Sequence, residues 1–497
     1  MNDMSINLVN VIFGMKVRQS RTEADLTLTE FAEQCELSPS YVTDIEKGRK
    51  YPRADKIMRM AEVLNKEYDE MVSIKLPPSL TYLESTLSSA ILRRFPFEEF
   101  GFEPGDLVTM LTREPDKASA LLHAVLDIGR RYDLQEEEFL RAALRSYQEM
   151  NENYSQELED AALAFTAEFA NIYHLTSDPP LPLTTLRTIL EQEYHYEIDE
   201  STIGENEHLA GFRCVFVPGK QPKLHVNSHL TSTQIKFLLA REIGYQYLQL
   251  KERSLTSTPN EINSFQQILN DFRAAYFGGA LLMPRAGMLA DLQRVFAMTT
   301  WDPQPFLDLL TRYDVTPEML FYRFSELIPE FFGIKFHFLR FHKVEDEYKL
   351  YKQLNMNRLP IPSGIGLDEH YCRRWLSVRL LEDFPVDNSD GSLRVGVQMS
   401  EFVESQAKFL CIGFSRPLHM MPDVASSVIV GFRVDAELSN IIRFANDPTI
   451  PQVLINETCE RCRLTAEQCQ DRAAPPLILQ AEERAREIKL ALNQLTG

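Results

Sequence analysis

Apolar residues recur at helical spacing through the first 70 residues of the chain. Phe31 and Ala32 share one such apolar face, and Val42 and Ile45 share another. The spacing predicts several short helices, none of them long enough to be stable alone. A Pro-Pro pair that cannot continue a helix follows, so we assign residues 1–76 to a first, all-α domain.

Prolines and changes of periodicity divide the rest of the chain. Residues 80–176 have a helical pattern broken by prolines, which predicts a helical connector or dimerisation region. Beyond a proline-rich break, helical stretches alternate with short β-branched runs, which predicts α+β domains at 178–313 and 314–476. A charged helix is expected at 477–497. The predicted fold class is therefore multidomain, with one all-α domain, a helical connector and two α+β domains.

The individual elements of the α+β domains follow from the same patterns. In the first we predict helices at 183–193, 232–250 and 261–282, and strands at 194–198, 213–217 and 223–226. In the second we predict a helix at 316–328 and strands at 334–341, 394–398, 409–414 and 426–431.

Composition narrows the setting of the protein. Of the 497 residues, 44% are hydrophobic and 25% charged, and no apolar run approaches the roughly 20 residues of a membrane span. The N-terminal residues lack the features of a secretory signal, so we expect a cytoplasmic protein without membrane contact. In that reducing compartment the seven cysteines are expected to be free thiols or metal ligands.

The distribution of charge along the chain is uneven. A net charge of −20 argues against nucleic-acid binding by the chain as a whole. Between Lys47 and Arg59, however, six lysines and arginines stand against a single acidic residue, Asp55. This local positive charge favours contact with DNA phosphates.

Residues 27–50 have the pattern of a helix-turn-helix. A supporting helix at 27–35 is followed by a short turn and by a recognition helix at 39–46, with Ser38 as its cap. The recognition helix would read bases in the major groove, and the cations after it would contact phosphates. The candidate DNA-binding residues are Thr27, Ser38, Ser40, Tyr41, Thr43, Asp44, Lys47, Arg49 and Lys50. The alternative is a structural helical subdomain that does not bind DNA.

This segment resembles the XRE-type, lambda-repressor-like helix-turn-helix. The resemblance rests on Ala32 in the first helix, on Leu37-Ser38 in the turn, and on Ile45-Glu46-Lys-Gly48-Arg-Lys-Tyr-Pro52 after the second helix. It implies binding to a double-stranded DNA operator. Because such readers usually bind two half-sites related by a two-fold axis, we also expect a homodimer.

The predicted helix at 232–250 resembles the zinc-binding helix of the ImmA/IrrE group of zinc-peptidase-like domains. That helix carries His-Glu-x-x-His, but here the histidine positions hold Arg241 and Tyr245, and only Glu242 remains. The place where a third, acidic ligand is expected corresponds to Arg273. The resemblance thus implies a zincin-like domain without its metal site, and we expect no peptidase activity.

Two interpretations of this altered centre stay open. Arg241, Glu242, Tyr245 and Arg273 could form a pocket for an anionic ligand, or an arginine and Glu242 could form a buried ion pair that replaces the metal.

The cysteines near the C-terminus have the spacing of metal ligands. Cys459-x-x-Cys462 places two thiols on one turn, and Cys469 follows shortly after. Cys372 is the best fourth ligand, because the other cysteines lie in the DNA-reading domain or in apolar strand-like runs. A 4Fe–4S cluster, a zinc ion and unliganded thiols all remain possible. Arginines at 373, 374, 461 and 463 would offset thiolate charge or form surface salt bridges.

These features together resemble the short-chain fatty acyl-CoA transcriptional regulators over nearly the whole chain. The resemblance includes the block Cys469-Gln-Asp-Arg-Ala-Ala-Pro-Pro476, whereas Cys372-Arg-Arg-Trp-Leu departs from the Cys-Pro-x-Trp-Asn of the family. It implies a sensing domain for a short acyl-CoA or a related anionic metabolite, with an iron–sulfur cluster in some members. An antitoxin-like module that docks a partner protein is the alternative, and a regulatory metallopeptidase is disfavoured.

Overall fold

The computed structural model describes residues 8–73, 96, 98–101, 136–176, 178–257, 261–362, 369–382 and 393–496. The chain divides into two compact units, Met1–Tyr147 with Ile262–Phe265, and Gln148–Glu261 with Gln266–Gly497. Most of the connector predicted at 80–176, including residues 80–95 and 102–135, lies outside the described residues. None of the helices described has the length and apolar composition needed to cross a membrane.

Five helices form the N-terminal part of the first unit. They are α1 (Leu8–Glu23), α2 (Leu28–Gln34), α3 (Pro39–Glu46), α4 (Ala54–Val63) and α5 (Tyr68–Val72). Phe31, Val42 and Ile45 are buried in their shared core, as the periodicity predicted. A Cβ at Gly14 would lie only 2.4 Å from the carbonyl oxygen of Ile45, so glycine is what allows α1 to pack closely on the end of α3.

Two helices follow the undescribed part of the connector. They are α6 (Glu136–Met150) and α7 (Gln156–Tyr173). The boundary between the two units falls within α6, after Tyr147. Ser155 caps α7, because its side chain accepts a hydrogen bond from the backbone N–H of Leu158. Phe165 and Phe169 of α7 are buried in the core of the next domain, so the structure places this helix there.

The first core of the second unit contains the segment that resembles a zinc peptidase. Its further elements are α8 (Leu183–Gln192), β1 (Glu197–Asp199), β2 (Cys214–Val217), β3 (Lys223–Val226), α9 (Ser232–Tyr247) and α10 (Phe265–Leu282). The three strands form a small sheet in the order β1-β3-β2. All six elements overlap those predicted from the sequence, with ends that shift by a few residues.

A six-stranded sheet organises the C-terminal part of the second unit. The elements are α11 (Arg285–Phe296), α12 (Gln304–Tyr313), α13 (Pro317–Phe332), β4 (Phe336–Val344), β5 (Glu347–Asn355), α14 (Leu376–Glu382), β6 (Arg394–Phe402), β7 (Lys408–Leu418), β8 (Met421–Arg433), α15 (Leu438–Ile441), β9 (Gln452–Ile455) and α16 (Leu477–Thr496). The strand order is β5-β4-β8-β7-β6-β9, antiparallel except for the β6–β9 pair. Helix α13 packs on β4 and β8, and α14 packs on β6, β7 and β8.

These observations confirm a multidomain fold with an all-α N-terminal domain followed by mixed α+β structure. The elements that were not predicted are α11, α12, α14, α15, β5 and β9. Strand β5 lies at the edge of the sheet, and a bulge at Tyr351 interrupts the alternation of apolar and polar residues along it, so its pattern is not that of a regular half-buried strand.

Candidate functional sites

The helix-turn-helix is built by two side-chain caps. Thr27 and Glu30 form a capping box at the start of α2, and the Ser38 hydroxyl accepts a hydrogen bond from the backbone N–H of Tyr41 at 3.2 Å. Ser40 is exposed on α3, whereas the Thr43 hydroxyl donates to the carbonyl of Pro39 at 2.9 Å. Thr27 and Ser38 therefore define where the two helices begin.

Asp44 organises the cations that follow the recognition helix. Its carboxylate accepts a hydrogen bond from Lys50 Nζ at 2.7 Å and lies 3.8 Å from a guanidinium nitrogen of Arg49. The Lys50 contact is the main reason that the pKa of Asp44 lies below its ordinary value. Lys56 Nζ lies 4.1 Å from the centre of the Tyr41 ring, a cation–π contact that the sequence analysis missed.

A largely buried ion pair holds α1 against the end of α3. The Nε atom of Arg21 donates to Glu46 at 2.6 Å, and the Nη1 atom of Arg21 donates to the carbonyl of Leu26 at 2.7 Å. The sequence contains one signal for this pair, an acidic residue directly after the buried Ile45. The pair fixes the exit from the recognition helix, where Lys47 is half-buried.

The centre that resembles a peptidase is closed by ion pairs and hydrogen bonds. Glu242 is fully buried and accepts two hydrogen bonds from Arg253, at 2.7 and 2.8 Å. The Arg253 guanidinium also stacks over the Tyr245 ring at 3.8 Å, and the Tyr245 hydroxyl donates to Asp271. Arg241 is buried beside Cys214, at 4.0 Å from its sulfur.

This geometry changes two details of the sequence analysis. The cation that pairs with Glu242 is Arg253, which follows the helix and was not considered. The acidic residue that α10 contributes to the centre is Asp271, two positions before the half-buried Arg273. A buried carboxylate paired with an arginine is thus what occupies this centre.

A cavity of about 190 Å³ lies beside this centre, inside the second unit. None of Arg241, Glu242, Tyr245 and Arg273 lines it. Its walls come instead from α9, α10, α13 and the strands β4, β5 and β7, with a residue that precedes β2. Five cationic side chains and two carboxylates line it, namely Arg213, Arg323, Arg340, Lys352, Arg416, Glu318 and Glu326. We call it the cationic cavity.

Glu318 is held ionised on the wall of the cationic cavity. It accepts hydrogen bonds from Nε and Nη2 of Arg416, at 3.2 and 2.9 Å, and lies 4.0 Å from Arg340. Although burial opposes ionisation, these two guanidinium groups hold its pKa down at about 2. Two arginines therefore share the negative charge of Glu318, so this carboxylate offsets little of the positive charge of the other cations in the wall.

Arg213 and Lys352 carry the excess positive charge. Within the described residues, the Arg213 guanidinium makes no hydrogen bond and no ion pair within 4 Å. Burial, followed by repulsion from Arg340, lowers its pKa. The same two causes lower the pKa of Lys352 to about 8, and Lys352 Nζ lies 3.6 Å from the centre of the Tyr322 ring.

The strand register itself brings two of these cations together. Arg340 on β4 and Lys352 on β5 are direct cross-strand partners. Like charges at such positions destabilise a sheet by about 0.2–1 kcal/mol. The side of the cavity formed by these strands therefore favours an anion.

Arg323 forms a buried triad behind the cavity wall. This side chain is fully buried and pairs with Glu159 at 2.6 Å and with Glu326 at 2.7 Å. Burial raises the pKa of Glu326 to about 8, although Arg323 opposes the shift. We call these three residues the Arg323 triad.

The four candidate metal ligands form a second site, the cysteine site. Cys372, Cys459, Cys462 and Cys469 are all buried. A short antiparallel pairing of Tyr371 with Thr458 sets Cys372 beside the 459–462 turn, and burial raises the pKa of Cys372 to about 11, with Cys459 and Cys462 adding to the shift. In the described part of the chain, no group of three or more His, Cys, Asp or Glu side chains is arranged to hold a metal ion.

The groups around the cysteine site have the chemistry that thiolate ligands need. The backbone N–H of Ala473 donates to Cys459 Sγ at 3.3 Å, and backbone groups of Asn456 and Arg374 stabilise the thiolate of Cys372. Arg472 lies close enough to Cys462 to lower its pKa, although burial dominates and raises it. The Nη1 atom of Arg472 is buried and has no hydrogen-bond partner among the described residues. These donors surround the thiols, which are not themselves arranged as a metal-binding group among the described residues.

The other arginines near the cysteine site form surface pairs instead. Arg374 pairs with Asp471 at 3.1 Å and Arg373 with Glu382 at 3.8 Å. Arg461 pairs with Glu369 at 2.7 Å and Arg463 with Glu482 at 2.6 Å. Arg472, which the sequence analysis did not consider, is the one beside a candidate ligand.

Comparison with known families supports the assignment of the helix-turn-helix and of the domain that resembles a zinc peptidase. Residues 17–71 match the family model of the helix-turn-helix, and residues 200–325 match that of the IrrE N-terminal-like domain. The fold and the first match show that the chain carries an XRE-type, DNA-binding helix-turn-helix domain. The second match shows that the chain also carries an IrrE-like domain of a peptidase family.

Whole-chain comparisons add a distant likeness. Among solved structures, a Mycobacterium tuberculosis transcriptional regulator is similar to this chain with 16% sequence identity and a TM-score of 0.47, over 67% of this chain and 93% of that chain. The curated proteins gave no match.

Proposed function

We propose that this transcriptional regulator senses an anionic metabolite, which binds in the cationic cavity and changes the affinity of the chain for its operator. The observation that carries this proposal is the charge of the cavity wall, where five cations face two carboxylates and the Arg213 guanidinium has no hydrogen-bond partner among the described residues. A ligand can regulate DNA binding only if it binds the DNA-competent and incompetent states with different affinity.

The apolar part of the wall narrows the chemistry of the ligand. Phe237, Met283, Met319 and Phe338 line the cavity together with the cations. An anionic group next to a short apolar arm fits such a surface. A short-chain acyl-CoA ester, which the resemblance of the whole chain implies, carries anionic phosphates and a short acyl chain at opposite ends of its pantetheine arm, so a cavity of about 190 Å³ would hold one end of it.

A paired titration tests this proposal. Calorimetry would measure binding of propionyl-CoA, free CoA and propionate to the full chain, and fluorescence anisotropy would measure the affinity for operator DNA with and without each compound at one salt concentration. We expect tighter binding of the ester than of either fragment, together with a changed DNA affinity. One unchanged DNA affinity under all conditions would contradict the proposal.

We further propose that Cys372, Cys459, Cys462 and Cys469 hold a 4Fe–4S cluster, with zinc as the alternative. The cluster would supply redox chemistry or a structural cross-link, while Arg472 and the N–H group of Ala473 would stabilise its negative charge.

Loss of the metal in cysteine variants tests this second proposal. Anaerobically purified protein is expected to contain about four irons per chain and an equal amount of sulfide. Cys459→Ser and Cys462→Ser should lose both, whereas Cys411→Ser, which changes a buried cysteine on β7, should retain them. Colourless wild-type protein that contains one zinc ion per chain would show that the cysteine site binds zinc instead of the cluster. Equal iron content in all variants would contradict the ligand assignment.

The reader is expected to bind DNA as a symmetric pair, with Lys50 among its phosphate contacts. We expect Lys50→Ala to weaken binding to duplex DNA and to reduce the slope of log K against log salt by about 0.9 for each reader, or about 1.8 for the symmetric pair, because each reader loses one phosphate contact. Lys66→Ala removes the same charge from the loop before α5, where Lys66 pairs with Glu70, and serves as the control. Anisotropy titrations at several salt concentrations would measure both slopes, and equal slopes would contradict the role of Lys50.

We propose no zinc-dependent peptidase activity for the IrrE-like domain. Arg241 and Tyr245 stand at the positions of the zinc ligands, and Glu242 is paired with Arg253 instead of facing a bound water. This arrangement supports a structural role for the centre beside the cationic cavity.

A further inference from the structure

The C-terminal helix α16 leaves the second unit with most of its surface exposed. Its first turn is held by the backbone, where the Ile478 N–H donates to the carbonyl of Glu460 at 3.1 Å, and by the Arg463–Glu482 pair. From Glu483 to Gln494 every side chain is exposed. Because an isolated helix of about 12 residues is only marginally stable in water, a partner surface would stabilise this exposed part.

The apolar residues of α16 form a stripe with coiled-coil spacing. Ile478, Ala481, Ala485, Ile488 and Leu492 follow one another at intervals of three, four, three and four residues. This is the a/d pattern of a heptad repeat, which buries the stripe against another helix. Ile488 and Leu492 are 52% and 55% exposed, so the stripe faces solvent in the single chain. Leu490 is exposed as well, on the opposite face of α16.

We propose that this stripe binds the same stripe of a second copy of the chain, in antiparallel orientation. The sizes of the side chains favour this orientation. An antiparallel register places Ala485 opposite Ile488 of the partner subunit, and Ala481 opposite Leu492 of the partner subunit. Each layer then combines one small and one large side chain, which is how well-packed cores fill space. A parallel pair would set Ala485 against Ala485 of the partner subunit and leave gaps.

The flanking charges are complementary in the same register. Glu482 lies about 3 Å along the axis from Lys489 of the partner subunit, on the same side of the interface, and the two-fold axis repeats the pair. Arg463 already pairs with one oxygen of Glu482, and the second oxygen can accept another donor. In a parallel pair the usual partner of Arg484 would be Lys489 of the partner subunit, a repulsive contact. Exposed pairs contribute little energy, so these charges set orientation more than affinity.

This inference concerns the dimer that two-fold operator binding requires, and it depends neither on the metabolite nor on the cysteine site. Its failure would leave ligand binding and the contact of each reader with DNA untouched. The two can therefore be tested separately.

Self-association of the full chain tests the proposal. Sedimentation velocity over a range of concentrations should show a monomer–dimer equilibrium for the wild-type protein. Ile488→Asn should raise the dimer dissociation constant by about tenfold or more, because it places an amide in the packed layer. The exposed position makes this substitution harmless to the fold of the single chain, which circular dichroism would confirm.

A charge reversal then distinguishes the two orientations. Lys489→Glu should weaken an antiparallel dimer by opposing Glu482 of the partner subunit, but it would strengthen a parallel dimer by facing Arg484 of the partner subunit. Arg486→Glu makes the same change of charge on α16 away from the stripe and should leave the dissociation constant unchanged. A monomeric wild type, an unaffected Ile488→Asn dimer, a stronger Lys489→Glu dimer, or equal effects of the two charge reversals would each overturn the proposal.

Discussion

Replacement of Arg323 by methionine is expected to lower the free energy of unfolding by about 3–5 kcal/mol. Arg323 is fully buried and donates to Glu159 at 2.6 and 3.0 Å, to Glu326 at 2.7 Å and to the carbonyl of Met283 at 3.1 Å. Methionine has a similar length but no charge, so the variant leaves buried carboxylates without a counterion. Urea unfolding followed by circular dichroism would measure the loss.

The Arg323 triad also predicts which second substitution restores stability. Glu159 accepts two hydrogen bonds from Arg323, at 2.6 and 3.0 Å, whereas Glu326 accepts one at 2.7 Å, and burial raises the pKa of Glu326. Glu159 is therefore the main partner of Arg323. We expect Glu159→Gln to recover more of the stability lost in Arg323→Met than Glu326→Gln does.

An exposed ion pair provides the control for the triad. Lys335 pairs with Glu152 at 3.0 Å, with both side chains at least one-third exposed. Lys335→Met should change the free energy of unfolding by less than about 1 kcal/mol. If Arg323→Met lowers the free energy of unfolding by no more than Lys335→Met does, the buried ion pairs of the triad do not stabilise the fold.

The DNA reader is the part of the molecule that sequence best predicts. Its caps, its buried positions and its turn all depend on residues within a few positions of one another, so periodicity and capping rules suffice. Thr27 and Ser38 begin their helices as expected, and Val42 and Ile45 are buried. The Arg21–Glu46 pair was missed because its partners are 25 positions apart.

The cationic cavity could not be found from sequence, because its walls come from distant segments. Arg213 precedes a strand of the first core, Glu318 begins α13, and Arg340 and Arg416 lie on two strands of the large sheet. Only the register of β4 with β5 makes Arg340 and Lys352 neighbours, and β5 itself was not predicted. The altered histidine positions directed attention to Arg241, which does not line the cavity.

Substitution of Arg340 by methionine is expected to separate ligand affinity from stability. Arg340 projects from β4 into the cationic cavity, opposite Lys352 and 4.0 Å from Glu318. A contact between a charged group and an anionic ligand contributes about 1.5–3 kcal/mol, so the variant should bind the anion about ten- to a hundredfold more weakly. Calorimetry with propionyl-CoA would measure the change.

Stability should respond differently, because the empty cavity holds like charges together. The variant removes the cation that opposes Lys352 across the strands, while Arg416 still pairs with Glu318 at 2.9 Å. The free energy of unfolding should therefore stay constant or rise slightly. Lys343→Met, on β4 but outside the cavity lining, is the matched control and should keep wild-type affinity. If Arg340→Met lowered both the free energy of unfolding and the affinity for the ligand, Arg340 would be a structural residue. Weaker ligand binding with an unchanged free energy of unfolding would instead identify Arg340 as a residue that holds the ligand.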